Sequence, residues 1–320
     1  MNTLITGGAG YIGSTVSNYL IDRGHQVTII DNLSTGFIKN VPKKATFFKI
    51  DISDTKKIEK VFYEKKFDVV FHFAAFINNE ESIKNPQKYY QNNFEKGKIF
   101  FENCMKNKIN KFVYSSTAAV YGNKDKKVNE KDKLKPMSAY PKSKLKLENF
   151  LKKKRKHISC IILRYFNVAG ADQKLRCGFN VKKGYNLILN LCLAGVKNRK
   201  FTINGNNYKT KDGTPIRDYI HVEDLAKIHL LTASLIQKKK MFKVFNCGYG
   251  HGFSVNQILK KFNSLLKNKI DYKIGKRRNS DIVISIANPN KLIRYTKWRP
   301  KFDNLNYILK SSLSWYRKNI

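Results

Sequence analysis

Tyr140 and Lys144 stand four residues apart, and Thr117 closes the run Ser115-Ser116-Thr117 upstream of them. On a helix, that spacing puts the phenol and the ammonium on one face. A tyrosine beside a fixed cation is a candidate base for a hydroxyl group. Free tyrosine titrates at about 10, so action near pH 7 needs roughly 4 kcal/mol of differential stabilisation of the phenolate. Lys144 could supply much of this, and a second positive charge nearby could supply more. Thr117 offers a hydroxyl to bridge a substrate and Tyr140. An ordinary exposed Tyr–Lys pair on a helix would do none of this, so the reading depends on what lies beside it.

What lies beside it is suggested by the first residues. Thr6-Gly7-Gly8-Ala9-Gly10-Tyr11-Ile12-Gly13 follows an apolar run and precedes a helical pattern. Gly7 suits a tight turn, Gly10 a close approach of pyrophosphate to backbone, and Gly13 close helix–sheet packing. The N–H groups around Tyr11 and Ile12 would then meet the phosphates at the positive end of a helix. Asp31 ends the next apolar run, 18 residues after Gly13, with Asn32 adjoining. A carboxylate there binds ribose hydroxyls and repels a 2′-phosphate, which favours NAD over NADP. Asp51-Ile52 after the third run is expected to flank the adenine. Phe73-Ala74-Ala75 after the fourth offers small residues beneath the pyrophosphate. Glycines and Tyr-x-x-x-Lys together point to redox chemistry on an alcohol, with Lys144 both the electrostatic partner of Tyr140 and a ligand to the cofactor ribose.

These residues must be held by strands and helices in alternation. Strands are expected at Thr3–Thr6, Gln26–Ile30, Thr46–Lys49, Val69–Phe73, Lys111–Tyr114 and Ser159–Arg164. Helices are expected at Tyr11–Arg23, Thr55–Glu64, Asn92–Lys106 and Ala139–Lys154. This is an α/β pattern: a Rossmann-type doubly wound parallel sheet covered on both faces, with ligands at the carboxyl ends of its strands. After about Gly170 the segments become more polar and irregular (Gln173–Gly184, Asn204–Pro215), which suggests a smaller α/β substrate lobe. The expected division is 1–170 for the dinucleotide-binding domain, with about 216–247 returning to it. The remainder, 171–215 and 248–320, forms the substrate lobe. Within 216–247, Asp218–Val222 and Lys243–Cys247 read as strands around a helix at Asp224–Ile236, and these could rejoin the first sheet.

Composition narrows the class. No apolar run in the 320 residues approaches the roughly 20 needed to span a bilayer. Thr3 to Thr6 leads straight into the glycines, with no leader pattern, so a cytoplasmic location is expected. The five cysteines contain no Cys-x-x-Cys pair and read as reduced structural thiols, with no metal site. The net charge of +40 raises nucleic acid as a partner. The lysines are spread along the chain without interleaved stacking aromatics, so no nucleic-acid partner is expected. The charge would still attract an anionic substrate.

The chain resembles the extended short-chain dehydrogenase/reductase family along its whole length, and within it the UDP-hexose 4-epimerases. The resemblance rests on Arg164-Tyr165-Phe166-Asn167-Val168-Ala169-Gly170-Ala171, on Asp212-Gly213-Thr214 and on Arg217-Asp218-Tyr219-Ile220-His221-Val222. Tyr89-Tyr90-Gln91-Asn92-Asn93 and Phe245-Asn246-Cys247-Gly248 add to it. It implies reversible C4 epimerisation of a UDP-hexose (UDP-galactose to UDP-glucose) with tightly held NAD, and a homodimer. It also implies that Asn92 approaches the cofactor, Asn167 holds the diphosphate or sugar, and Asn186-Leu187 contacts the uridine half. Arg217 and Arg278 would pair with the phosphates and Asp281 with the uridine ribose. His221 reads as structural.

The chain departs from the family at Asn204, where Phe is frequent, and at Ile77-Asn78-Asn79-Glu80. Ser285 stands where a large Tyr can restrict the pocket. A small residue there suggests a UDP-N-acetylglucosamine 4-epimerase, or one of dual specificity. Family dehydratases carry Asp-Glu where Ala118-Ala119 stands, which argues against dehydration. A catalytically silent NAD-binding regulatory protein, or a nucleic-acid-binding protein on the same fold, is the rival from another class.

Overall fold

The computed structural model describes residues 1–179, 186–278 and 281–319. Part of the irregular segment anticipated at 173–184 lies outside them. The first half runs β1 (Asn2–Thr6), α1 (Tyr11–Ile21), β2 (Gln26–Ile30), β3 (Thr46–Phe48), α2 (Thr55–Glu64), β4 (Val69–His72), α3 (Asn79–Lys84), α4 (Pro86–Tyr89), α5 (Lys96–Lys106), β5 (Lys111–Thr117), α6 (Ala139–Lys153) and β6 (Ser159–Tyr165). The second half runs β7 (Asn167–Ala169), α7 (Leu187–Lys197), β8 (Phe201–Asn204), β9 (Ile216–Arg217), β10 (Tyr219–His221), α8 (Val222–Lys238) and β11 (Phe242–Cys247). It continues through β12 (Phe253–Ser254), α9 (Val255–Asn263), β13 (Tyr272–Gly275), β14 (Ile284–Ser285), α10 (Asn290–Thr296) and α11 (Leu305–Asn319).

Seven strands form one parallel sheet in the order β11-β6-β5-β4-β1-β2-β3. Successive residues of a strand feed opposite faces. Leu4 and Val70 enter one buried cluster with Phe100 and Leu147, while Ile5 and Phe71 enter another with Val16 and Leu20. Burial on both faces explains the nearly unbroken apolar runs read as strands. The chain leaves β1 towards β2 and β3, then returns to add β4 on the other side of β1. The strand order reverses between β1 and β4, which opens a crevice at the carboxyl ends of the strands.

Two expectations change. The helix anticipated at Asn92–Lys106 begins as a wider π-helical turn, Tyr90–Glu95, before α5. The Asn93 side chain binds both the N–H and the carbonyl of Phe76 (2.8 and 2.9 Å), which ties this turn to the end of the β4 loop. Such turns recur at functional sites. β11 does rejoin the main sheet, paired with β6, whereas β10 pairs with β7 in a separate two-stranded sheet. Its neighbour β9 joins β12 and β14. The buried Asp218 between β9 and β10 explains this. Its carboxylate accepts from the N–H groups of Tyr249, Gly250 and Ala287 (2.9, 2.9 and 3.1 Å), drawing three distant segments together. No helix among the described residues is long and apolar enough to cross a membrane.

Candidate active site

The crevice is a cavity of roughly 520 Å³. Its floor is the turn between β1 and α1. Gly7 has a φ of +74°, and a Cβ there would lie 2.6 Å from the Ala74 backbone nitrogen. A Cβ on Gly13 would lie 2.3 Å from the Gly7 carbonyl oxygen. These two glycines let α1 start hard against the sheet. Gly10 caps α1 without a side chain, so the free N–H groups of the first turn face the cavity. Such a terminus is built to receive an anion.

Asp31 follows β2 and is 8% exposed. It accepts from the backbone N–H groups of Ala9 (3.0 Å) and Leu33 (2.8 Å). Burial pushes its carboxyl up, and those two donors pull it back. Asp51 accepts from Asn32 (2.8 Å) and pairs with Lys96 (2.7 Å). Burial would raise it, but Lys96, Ser53 and Asn32 together hold it well below the usual carboxylate range. Ile52, Phe73, Ala74 and Ala75 complete this half of the wall with Tyr11, Ile12 and Asn92.

The chemical half sits between β5 and α6. β5 runs through Thr117, paired in register with Tyr165 of β6. Thr117 Oγ1 accepts from the Ala119 N–H (3.2 Å). Pro141 falls in the first turn of α6, where a missing N–H costs nothing. Tyr140, Lys144 and Thr117 all line the cavity. Lys144 is 2% exposed, with Nζ 4.7 Å from the Tyr114 ring centroid.

Here the structure corrects the sequence reading. Burial raises the Tyr140 phenol above its ordinary value, and its hydrogen bond with Thr117 opposes the rise. Lys144 carries the larger change: burial brings it down to about 7, with the Glu148 carboxylate pulling the other way. Burial and Thr117, not Lys144, move the phenol. Both groups lean towards neutrality, because desolvation penalises phenolate and ammonium alike.

On the far wall, Arg217 and Asp281 face the cavity and pair with each other (2.8 Å), and the Tyr208 hydroxyl donates to Asp281 (2.9 Å). Asn167, Asn186 and Ser285 line the same cavity. Two expected residues do not. Leu187 packs against the main core, because Asn186 caps α7 through the N–H groups of Ile188 and Leu189 and so turns the next side chain inward. Arg278 lies outside the lining and pairs with Glu80 across the mouth (2.7 Å). Both partners are exposed, so this contact is weak and open to competition by a better anion.

Sequence reasoning missed Tyr165, whose hydroxyl meets His229 Nε2 at 2.6 Å below the cavity floor. It also missed Ser34 to Phe37, which line the cavity beyond Asp31. Their place in a Gly-containing loop after a strand was the available signal.

Residues 3–248 match the family described as the NAD dependent epimerase/dehydratase family. A UDP-glucose 4-epimerase of Lactobacillus helveticus is 37% identical over 100% of this chain and 98% of that protein. The structure of UDP-glucose 4-epimerase from Bifidobacterium longum in complex with NAD+ and UDP superposes with a TM-score of 0.95 at 31% identity, covering 100% of this chain and 99% of that one. That of the UDP-Glc/GlcNAc 4-epimerase from Campylobacter jejuni gives a TM-score of 0.85 at 37% identity, covering 99% of each. With the glycine turn, the Tyr-x-x-x-Lys helix and the full-length likeness in agreement, the chain belongs to the NAD dependent epimerase/dehydratase family.

Proposed function

We propose that the protein reversibly inverts C4 of a UDP-hexose, chiefly UDP-galactose to UDP-glucose, with NAD retained through each cycle. The observation that carries this is the convergence of Thr117, Tyr140 and Lys144 on the cavity that the glycine turn opens into. The relatives named for UDP-glucose 4-epimerisation support the same reading. NAD fits the residues present. A side chain on Gly7 or Gly13 would collide with backbone, Gly10 leaves the first turn of α1 bare, and Asp31 presents a carboxylate suited to ribose hydroxyls. Asn32, Asp51 and Ile52 would flank the adenosine half; Tyr11, Ile12, Phe73, Ala74, Ala75 and Asn92 would line the rest.

When bound, NAD would supply the hydride chemistry at C4. The chain supplies the proton chemistry and the grip. Tyr140 takes the O4 proton, Thr117 hydrogen-bonds across the same oxygen, and Lys144 balances the phenolate. Arg217 would release Asp281 for a substrate phosphate, leaving Asp281 for the uridine ribose. The guanidinium fork suits the first task and the carboxylate the second. Asn167 and Asn186 add neutral donors. Arg278 would exchange Glu80 for the second phosphate. A firm nucleotide grip with few sugar contacts would leave the hexose free to present either face of C4. Ala118 and Ala119 offer no acid to expel water, so dehydration does not compete.

Purified protein without added NAD should interconvert UDP-galactose and UDP-glucose, read by chromatography. Folded protein that fails even with NAD supplied would sink the proposal. Gly13→Ala, which sets a Cβ against a carbonyl oxygen, is expected to leave the purified protein without bound nucleotide. Retention of NAD in that variant would contradict the cradle assignment.

One observation favours a wider substrate range: Ser285, a small residue, lines the cavity. Ser285→Tyr is expected to abolish turnover of the N-acetylated sugar while sparing the plain hexose. Equal loss on both would refute the gate role. We further propose the division 1–170 with 216–247 for the cofactor and 171–215 with 248–320 for the substrate, supported by the pairing of β11 with β6. We propose a cytoplasmic homodimer joined through α5 and α6. Exposed Ile99 on α5 supports that face, and light scattering tests it.

A further inference from the structure

Glu148 lies one turn beyond Lys144 on α6 and two turns beyond Tyr140, so the three share one stripe. It is 4% exposed and its carboxylate is fully engaged. Ser116 Oγ donates to Oε1, Arg164 Nε donates to Oε1 (3.1 Å) and an Arg164 Nη donates to Oε2 (2.6 Å). The other Arg164 Nη donates to the Tyr121 hydroxyl (2.9 Å), which donates to Asn246 Oδ1 (2.7 Å). Asn246 is fixed in turn by the Val128 carbonyl and the Glu130 carboxylate (both 2.9 Å). The network ties α6 to β5, β6 and β11.

Stability does not account for this arrangement. A buried ion pair is commonly neutral or unfavourable beside apolar residues of equal volume, because desolving two charges offsets their attraction. Its position is more informative. Around Lys144 the titratable groups are Tyr114 of β5, His72 of β4 and Tyr140 itself; Cys160 of β6 interacts with Glu148, Tyr165 of β6 with Tyr140, and Tyr121 after β5 with Arg164. Burial holds His72 neutral, down to about 3, and pushes the Cys160 thiol and the Tyr114, Tyr121 and Tyr165 phenols up. Among the described residues of this group, Glu148 alone carries negative charge near Lys144, with the Arg164 cation behind it.

We propose that Glu148, held by Arg164 and Ser116, is a positioning residue for the reaction: it favours the ammonium form of Lys144 beside an ionisable Tyr140. The inference rests on the Tyr140–Lys144 chemistry proposed above. Phenol with amine and phenolate with ammonium carry the same net charge and differ only in where one proton sits. Glu148 is about 6 Å along the helix from Lys144 and about 12 Å from Tyr140. Its field therefore stabilises the cation more than it penalises the phenolate, and tilts the pair towards the form that accepts the O4 proton.

The test uses the full chain as purified. Glu148→Gln strands the buried Arg164 charge and can fail to fold, so Glu148→Gln/Arg164→Met, which removes both charges, accompanies it. The first readout is the titration of Lys144 in lysine-labelled protein by NMR, its signal assigned by loss in Lys144→Met. A lysine titrating near 7 stands apart from those titrating near 10.4. The second is the pH profile of kcat/KM on UDP-galactose. In the folded double variant the Lys144 midpoint is expected to fall by about one unit, and the acid limb of the profile to move down with it. kcat at pH 7 is expected to fall about tenfold, the equivalent of that unit. Glu148→Asp should restore part of the shift. A folded double variant with an unmoved Lys144 midpoint and an unmoved profile overturns the proposal, whatever its absolute rate. If no UDP-hexose is turned over, the proposed function fails separately, and the NMR titration still decides the role of Glu148.

Discussion

Tyr140→Phe is expected to keep the fold and the bound cofactor while slowing UDP-hexose interconversion by roughly 10²–10⁴-fold, the range a positioned acid–base group supplies. The substitution removes the hydroxyl of a residue that lines the cavity and leaves the ring in place. The glycine turn and Asp31 are untouched, so nucleotide retention should not change. Turnover and cofactor content, measured on the same preparation, check both halves. A variant with near-parental turnover would remove Tyr140 from the chemistry. A variant that is inactive because its nucleotide is lost would place the tyrosine in cofactor binding instead.

Lys144→Met should divide function from stability in opposite directions. Without the ammonium, desolvation still holds the Tyr140 phenol above its ordinary value and no cation is left to favour the phenolate, so turnover should fall by roughly 10³-fold, within the range a positioned acid–base group supplies. Stability should rise. Lys144 sits at about 7 in the folded protein against 10.5 for the ordinary group. Between those values the unfolded chain binds more protons than the folded one, so the parent gains stability as pH rises from about 7 towards 10.5. Below about 7 the full penalty of a buried ammonium applies. Met fills similar volume without charge, so the cofactor-free variant should melt several degrees higher at pH 7. That advantage should shrink by pH 10. Denaturation midpoints across that range test the sign; a variant less stable than the parent at pH 7 contradicts it.

Much of the architecture was legible because its signals are local. A strand that is buried on both faces must be apolar at successive positions, as Cys160 to Leu163 is, and a turn that brings a helix against a sheet must lack side chains, as Gly7 and Gly13 do. The Tyr140–Lys144 spacing needs only the helical repeat to become one face. Asp31 follows its strand for the same kind of reason. The π-helical turn at Tyr90–Glu95 was not legible, because it answers to Asn93 binding Phe76, a partner 17 residues away.

Residue order along the chain thus settled which groups stand ready for chemistry: a nucleotide turn, an acid after the second strand, and a Thr–Tyr–Lys set. Folding in three dimensions decided how those groups are charged and where they point. It buried Lys144 beside a half-buried Tyr140 so that both lean towards neutral, and set Glu148 beneath them on Arg164. It faced Arg217 into the cavity, left Arg278 on Glu80 at the mouth, and turned Leu187 into the core. Periodicity is a property of neighbours in sequence. Desolvation and pairing depend on which distant residues exclude water or bring a charge, and that is known only once the chain has closed upon itself.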